Sequence, residues 1–402
     1  MARVFFGVNT EAFGKNALYL RWLIIFRRLF WGKEIFMLNW KRVTLFFVIG
    51  LFLGVLGVLP STPAAAYHVV HQRSSALSVG RLRAINDSAV HYVQVPKSYR
   101  HAPNLHRANV IKQTRGAHIT FKTNYLLPYP GYRHQAWGNP QSIAAAGRYL
   151  YVVYCPTAWH NRGRIVRYDV VALRKLHVTP QQVQRTYRSG SGQSQAIRRA
   201  IEVGPAFVTG HGQSLAYNWH DHQLYMWCDK EKAPRVPANK YGYISQISGS
   251  QLKPVHQVRF RLKHGHFAVA GGHVLTFDKY GNAYFWTRPT THHVYIYKGR
   301  VTRHHVKFRL THQVLQHGPG TRVQSMGYNP RTGQLYLVAD DSIAKLPAKK
   351  LNGNGHLTKH NVTWNKFASR REFEGLAFAH NGQAYLLTNH NPEILAGNRR
   401  GW

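Results

Sequence analysis

Four carboxylates crowd the C-terminal part of the chain: Asp340 with Asp341, and Glu372 with Glu374. Residues two apart on a strand point to the same side, so Glu372 and Glu374 could serve as a hard-metal or acid–base pair. They stand among cations, including Arg370 and Arg371. With no third ligand motif, the pattern reads first as salt-bridge partners. Histidines are the next candidates. His211, His220 with His222, His264 with His266, His292-His293 and His304-His305 offer nitrogen donors for zinc or copper. None has His-Glu-x-x-His or Cys/His finger spacing, and neighbours on a strand face opposite ways. His220 and His222 flank Asp221 in a predicted turn and could share one ion. Solvated basic loops are the first reading, and no metal is assigned.

No Gly-x-Ser-x-Gly, P-loop or dinucleotide-type glycine motif occurs in a strand–helix context, and Ser189-Gly190-Ser191-Gly192 reads as a loop. No catalytic residue and no cofactor is therefore assigned. The aromatics point elsewhere. Trp137, Trp159, Trp219, Trp227 and Trp286 fall in or beside predicted strands. Most are expected to pack between sheets, while one or two exposed beside arginine would make a platform for sugars or polyanions. The binding residues expected on this ground are Trp219, His220, His222, Trp286, Arg370 and Arg371.

The elements that would position them are strands. Alternating apolar runs bounded by Gly, Asn, Asp and Pro predict an all-β domain. A unit of turn, small or aliphatic residue, tyrosine and apolar run recurs five times. Examples are Asp221-His222-Gln223-Leu224-Tyr225, Thr332-Gly333-Gln334-Leu335-Tyr336 and Asn381-Gly382-Gln383-Ala384-Tyr385. The aligned tyrosines are Tyr151, Tyr225, Tyr284, Tyr336 and Tyr385, spaced 74, 59, 52 and 49 residues apart. Strand, hairpin, strand, loop, strand at such periods predicts a β-propeller of about five to seven blades. A sandwich is the alternative. Residues 67–140 are expected to supply a further blade or the closing strand. Residues 179–201 are less β-like and fit a short helix or a loop. Cys155 and Cys228, the only cysteines, sit at similar places in successive units. They could bridge in an oxidising compartment, though unpaired core thiols are the commoner outcome.

The start of the chain predicts an address. Lys41-Arg42, the seventeen mostly apolar residues 43–59, and an end with Ala64 and Ala66 have the three parts of a secretory signal cleaved after Ala66. A retained membrane anchor is the alternative. Lys33-Glu34 can be encoded as AAG-GAG, a bacterial ribosome-binding sequence two codons before Met37. Translation is therefore expected to begin at Met37, with residues 1–36 a misassigned or long leader. The organisation expected is thus 1–36 leader, 37–66 signal or anchor, and 67–402 an extracellular β-propeller-like domain.

After Ala66 lie 46 of the 54 Lys and Arg, 12 of the 14 acidic residues and all 26 His, a formal excess of 34 positive charges. So large an excess implies a polyanionic neighbour. For an exported protein the candidates are wall polymers such as teichoic acid, or anionic lipid; nucleic acid suits the charge but not the address. Histidines add charge between neutrality and about pH 5, so acid is expected to strengthen the attraction.

Two stretches, Phe277-Asp278-Lys279-Tyr280-Gly281-Asn282-Ala283-Tyr284 and Arg371-Glu372-Phe373-Glu374-Gly375-Leu376-Ala377-Phe378, resemble the helveticin J-like group of secreted lactic-acid-bacterial proteins. The resemblance spans about a quarter of the chain. It implies a β-rich, propeller-like domain, and its members include large bacteriocins and extracellular proteins of unknown role. Three functions follow in order of expectation: a basic surface propeller that binds anionic wall polymers, a bacteriocin-like effector, and a propeller-type hydrolase or lyase.

Overall fold

A computed structural model describes residues 67–402, apart from 81, 86, 88–89, 91–107, 130, 132–138, 229–240, 266, 270–273, 290–292, 321, 353–356 and 391. The leader, the 43–59 apolar segment, Ala64, Ala66, Met37 and Trp137 lie outside the described residues. Among the described residues, no helix is long and apolar enough to cross a membrane.

The chain from Ala66 onward is one compact unit, a β-propeller of five blades. Blade 1 contains Pro140–Ala146, Tyr149–Tyr154 and Arg162–Asp169, with Ile201–Val203 and Phe207–Val208 outside. Blade 2 is Ala216–Asn218, Gln223–Trp227, Tyr241–Ser248 and Lys253–Arg261; blade 3 is Thr276–Phe277, Ala283–Thr287, Val294–Val301 and Val306–Leu315. Blade 4 is Ser325–Asn329, Gln334–Ala339, Ser342–Pro347 and Thr363–Phe367; blade 5 is Glu372–Phe378, Ala384–Asn389 and Glu393–Gly397. The first strand of each blade adjoins those of the blades before and after it, and blade 5 meets blade 1, so the ring is closed.

The five aligned tyrosines lie on the second strand of each blade. In two of them the turn carboxylate holds the phenol: Tyr225 donates to Asp221 Oδ2 at 2.8 Å and Tyr284 to Asp278 Oδ2 at 2.9 Å. The Asp278 carboxylate also accepts the N–H groups of Tyr280 and Asn282 and so builds the hairpin. Near the axis the inner strands approach so closely that side chains must be absent. A Cβ on Gly327 would lie 2.7 Å from the Leu376 carbonyl, and one on Gly375 would lie 2.8 Å from Ile143.

Among the described residues, the N-terminal part forms no blade of its own. It supplies β1 (His68–Ser75), β2 (Leu77–Val79), β3 (Arg83–Ile85), β4 (Val110–Arg115) and β5 (Thr120–Leu126). Strand β1 runs parallel along the outer strand of blade 2, and β2 and β3 run parallel along that of blade 3. β4 pairs antiparallel with blade 4, and β5 pairs with the third strand of blade 5. These strands gird blades 2 to 5 in order and cover edges that would otherwise template aggregation. Blade 1 carries helices instead: α1 (Val170–Lys175), α2 (Pro180–Arg185) and α3 (Gly192–Arg199). Each has a polar cap, namely Asp169, Thr179 with Gln182, and Ser191, so the Ser189–Gly192 stretch read as a loop opens α3.

Aromatic layers between blades make the core. Phe285 stacks on Tyr297 at 4.1 Å and meets Trp227 and Phe308 edge-on at 5.1 and 4.8 Å. Between blades 4 and 5, Tyr336 packs on Phe378 and on the C-terminal Trp402, which also meets Phe121 of β5.

Candidate functional site

The pairing of strands reveals a pattern the sequence carries in plain sight. The aligned tyrosines pair with Ala144, Ala216, Thr276, Gly327 and Ala377. Three positions before these stand Gln141, Gln213, His273, Gln324 and Glu374, one polar residue per blade; His273 lies outside the described residues. The described members converge on the axis. Gln213 Nε2 donates to Gln324 Oε1 at 2.6 Å and to Glu374 Oε2 at 3.5 Å, and Gln141 Nε2 donates to Glu374 Oε1 at 3.5 Å. Gln324 Nε2 in turn donates to Asp340 Oδ1 at 2.9 Å.

Glu374 is the buried centre of this collar. Burial, then the adjacent Glu372 and Asp340 carboxylates, push its acid well above the ordinary carboxylate range. Glu372 stands two residues before it on the same strand and adds to that upward push. The collar side chains thus bond to one another across the axis. Glu372 is completed by Asn389 Nδ2 and His390 Nε2, each 3.1 Å from its Oε2. His211 faces the same carboxylate, and burial holds its imidazole below the usual range. Among the described residues, no three His, Cys, Asp or Glu are grouped to hold a metal ion.

The expected pairing of these glutamates with Arg371 is corrected. Arg371 turns away from the axis, is buried, and meets Glu393 with Nε 3.1 Å from Oε1. Glu393 also accepts from Thr123 of β5 at 2.6 Å. Arg371 is therefore a core cation and not a surface contact. Arg370 is exposed, and its N–H donates to Asp341 Oδ2 at 2.5 Å. Asp341 also accepts from the Ser369 hydroxyl, yet burial pushes its carboxyl up to about 6. An open pocket of about 180 Å³ lies beside this loop, lined by Asn109, Lys112 and Thr114 of the girdle region with Ser369 and Arg371.

Trp286 is the second correction. It is fully buried, with its indole Nε1 donating to the Ser325 carbonyl at 2.9 Å, so it fastens blade 3 to blade 4 and cannot meet a ligand. Trp219 is half-buried between Tyr217 and His380, at 5.0 and 5.9 Å. His220 and His222 are exposed on the hairpin of blade 2, but they diverge. His222 Nδ1 sits 3.0 Å from the Tyr217 hydroxyl, whereas His220 abuts Gly281 of blade 3. They do not share an ion. Trp159 is the indole that fits the arginine platform, with Arg164 4.8 Å over its ring. Cys155 and Cys228 are both free, so the bridge is absent. Cys155 faces the Gly210 carbonyl, Cys228 is wholly buried, and burial raises both thiols, Cys228 to about 12.

Comparison with protein-family models and with curated proteins gives no match. Solved structures give weak likenesses. A glucose dehydrogenase is 11% identical, with TM-score 0.37 over 72% of this chain and 99% of its own. An exo-β-1,3-galactanase from Clostridium thermocellum is 12% identical, with TM-score 0.39 over 71% of this chain and 61% of its own. The WD40 domain of Toxoplasma gondii coronin is 11% identical, with TM-score 0.31 over 69% of this chain and 65% of its own. Likeness at this level says nothing of activity; the five-bladed ring rests on its strand pairing.

Proposed function

We propose that this chain is an exported, non-catalytic β-propeller of the cell surface that binds anionic wall polymers such as teichoic acid, with anionic lipid as the alternative surface. One observation carries the reading: the carboxylates are turned inward. Ten of the twelve acidic residues after Ala66 are described. Asp87, Asp278, Asp340, Asp341, Glu374 and Glu393 are buried, Asp169, Asp221 and Glu372 are partly covered, and Glu202 alone is exposed. Among the described residues the fold thus covers most of its negative charge and leaves a strongly cationic exterior. Such a surface concentrates polyanions whatever their fine structure.

The test is retention of the 67–402 unit on isolated walls with and without their teichoic acid, across a salt series. Binding that requires the polymer and weakens steeply as salt rises supports the proposal. Salt-independent retention, or none, rejects it.

A further inference from the structure

We propose that the outer edge of blade 2 is the anion-binding site, that it takes the phosphodiester groups of a soluble polymer, and that acid switches it on. This rests on the polyanion reading above.

Strand β1 lies in parallel register on Lys253–Arg261, with His68 opposite His256 and His71 opposite Arg259. The tip of the third hairpin of blade 3 bends over the same edge, held by the Val306 N–H donating to Gln72 Oε1 at 3.0 Å. Three elements thereby bring imidazoles into a row: His68 to His256 at 6.1 Å, and His256 to His304 at 6.2 Å between ring centres. His256 Nδ1 is buried without a hydrogen-bond partner. No ion pair among the described residues involves any member of this row or its two arginines. A concentration of cations with no internal anion is stabilised by an external one.

The arginines supply the switch. Arg303 Nε donates to His304 Nε2 at 2.6 Å, and Arg259 Nη1 lies 3.3 Å from His71 Nδ1 while its guanidinium rests on the Tyr241 ring. A guanidinium has no acceptor, so each imidazole nitrogen must be the acceptor and therefore unprotonated. Adding a proton turns acceptor into donor. Both pairs then break, and guanidinium and imidazolium together present N–H groups outward. Arginine forks match phosphate oxygens bidentately. The charged groups facing His256 are Arg303, His68 and His304; burial first, and then these cations, hold it below the usual imidazole range. Opposite it on the strand stands neutral Gln246. The nearest carboxylate on the adjoining hairpin, Asp221, is occupied by the Tyr225 hydroxyl and the Gln223 N–H. A phosphodiester stays anionic at pH 5, so the ligand keeps its charge while the site gains its own.

The test is binding of inorganic polyphosphate to the 67–402 unit at pH 7.5 and pH 5.0. It compares wild type, the triple variant His68→Gln/His256→Gln/His304→Gln, the single exposed variant Arg303→Gln, and a control triple His160→Asn/His177→Asn/His360→Gln. Wild type and control should tighten by about tenfold or more on acidification. The blade 2 triple should lose most of that gain, and Arg303→Gln should weaken binding at pH 5.0, where the guanidinium is released. If wild type binds neither polyphosphate nor phosphatidylglycerol vesicles at either pH, the polyanion reading itself falls. If wild type binds but the blade 2 variants respond to acid as the control does, the site is wrong and the reading stands. Capture by phosphatidylglycerol vesicles without capture of polyphosphate would replace the soluble polymer by a lipid surface and overturn this assignment.

Discussion

Arg371 meets Glu393 inside blade 5 at 3.1 Å, with both side chains almost wholly removed from water. Thr123 of β5 donates to the second carboxylate oxygen, so this one ion pair ties the inner strand, the third strand and the girdle. Arg371→Met strands a buried carboxylate and should cost about 3–5 kcal/mol in urea unfolding. Adding Glu393→Gln should recover part of that loss, because the uncompensated charge is gone. Equal stability of Arg371→Met and wild type would show that the pair holds nothing.

Trp286→Phe keeps most of the ring but removes the N–H that the Ser325 carbonyl accepts from. The expected cost is about 1–3 kcal/mol, with polyphosphate binding unchanged. A variant of normal stability and impaired binding would return Trp286 to the ligand surface.

Asp341 gives a signed dependence on pH. The folded protein keeps its proton up to about pH 6, whereas an unfolded aspartate releases it near 4. Between these values the folded state binds more protons, so stability falls as pH rises through the window and levels off above about 6. The fall due to this residue is roughly 2–3 kcal/mol. Asp341→Asn should show a flatter stability profile from pH 4 to 6 than wild type, whatever its absolute stability. Parallel profiles would rule the contribution out.

The free thiols give a third kind of test. The urea midpoint should not move on adding dithiothreitol, because Cys155 and Cys228 are not bridged. Both thiols should react slowly with a disulfide reagent at pH 8 in the native protein and fast once unfolded. A lower midpoint under reduction would mean that a bridge forms.

The propeller is legible in the sequence because its signal is local. A turn, a tyrosine and an apolar run within ten residues are enough to mark each second strand, and Asp221 and Asp278 show why the tyrosine recurs. The capped helices of residues 179–201 were foreshadowed by their loss of alternation. The girdle was not, since β1 finds its partner 188 residues away, as in His71 and Arg259, and parallel pairing leaves no turn to read. Burial misled in the same way. Trp286 and Arg371 belong to types common at binding surfaces, and only the neighbouring blade decides that they face inward. The axial collar needed the register first; once Tyr151, Tyr225, Tyr336 and Tyr385 are aligned with their partners, counting back three residues finds Gln141, Gln213, Gln324 and Glu374.

The fifth blade has a consequence for how such a molecule comes into being. Its outer strand, β5, is made early, while its third strand ends at Gly397 opposite Phe121. Until Glu393–Gly397 has been synthesised, β5 has no partner in blade 5, and the Phe121 ring lacks Trp402. A product that stopped before Glu393 would leave the β5 edge open, and loss of Trp402 alone would leave an aromatic layer unfilled. Closure of the fifth blade thereby waits on its last strand: β5, laid down early, gains its partner only when Glu393–Gly397 follows.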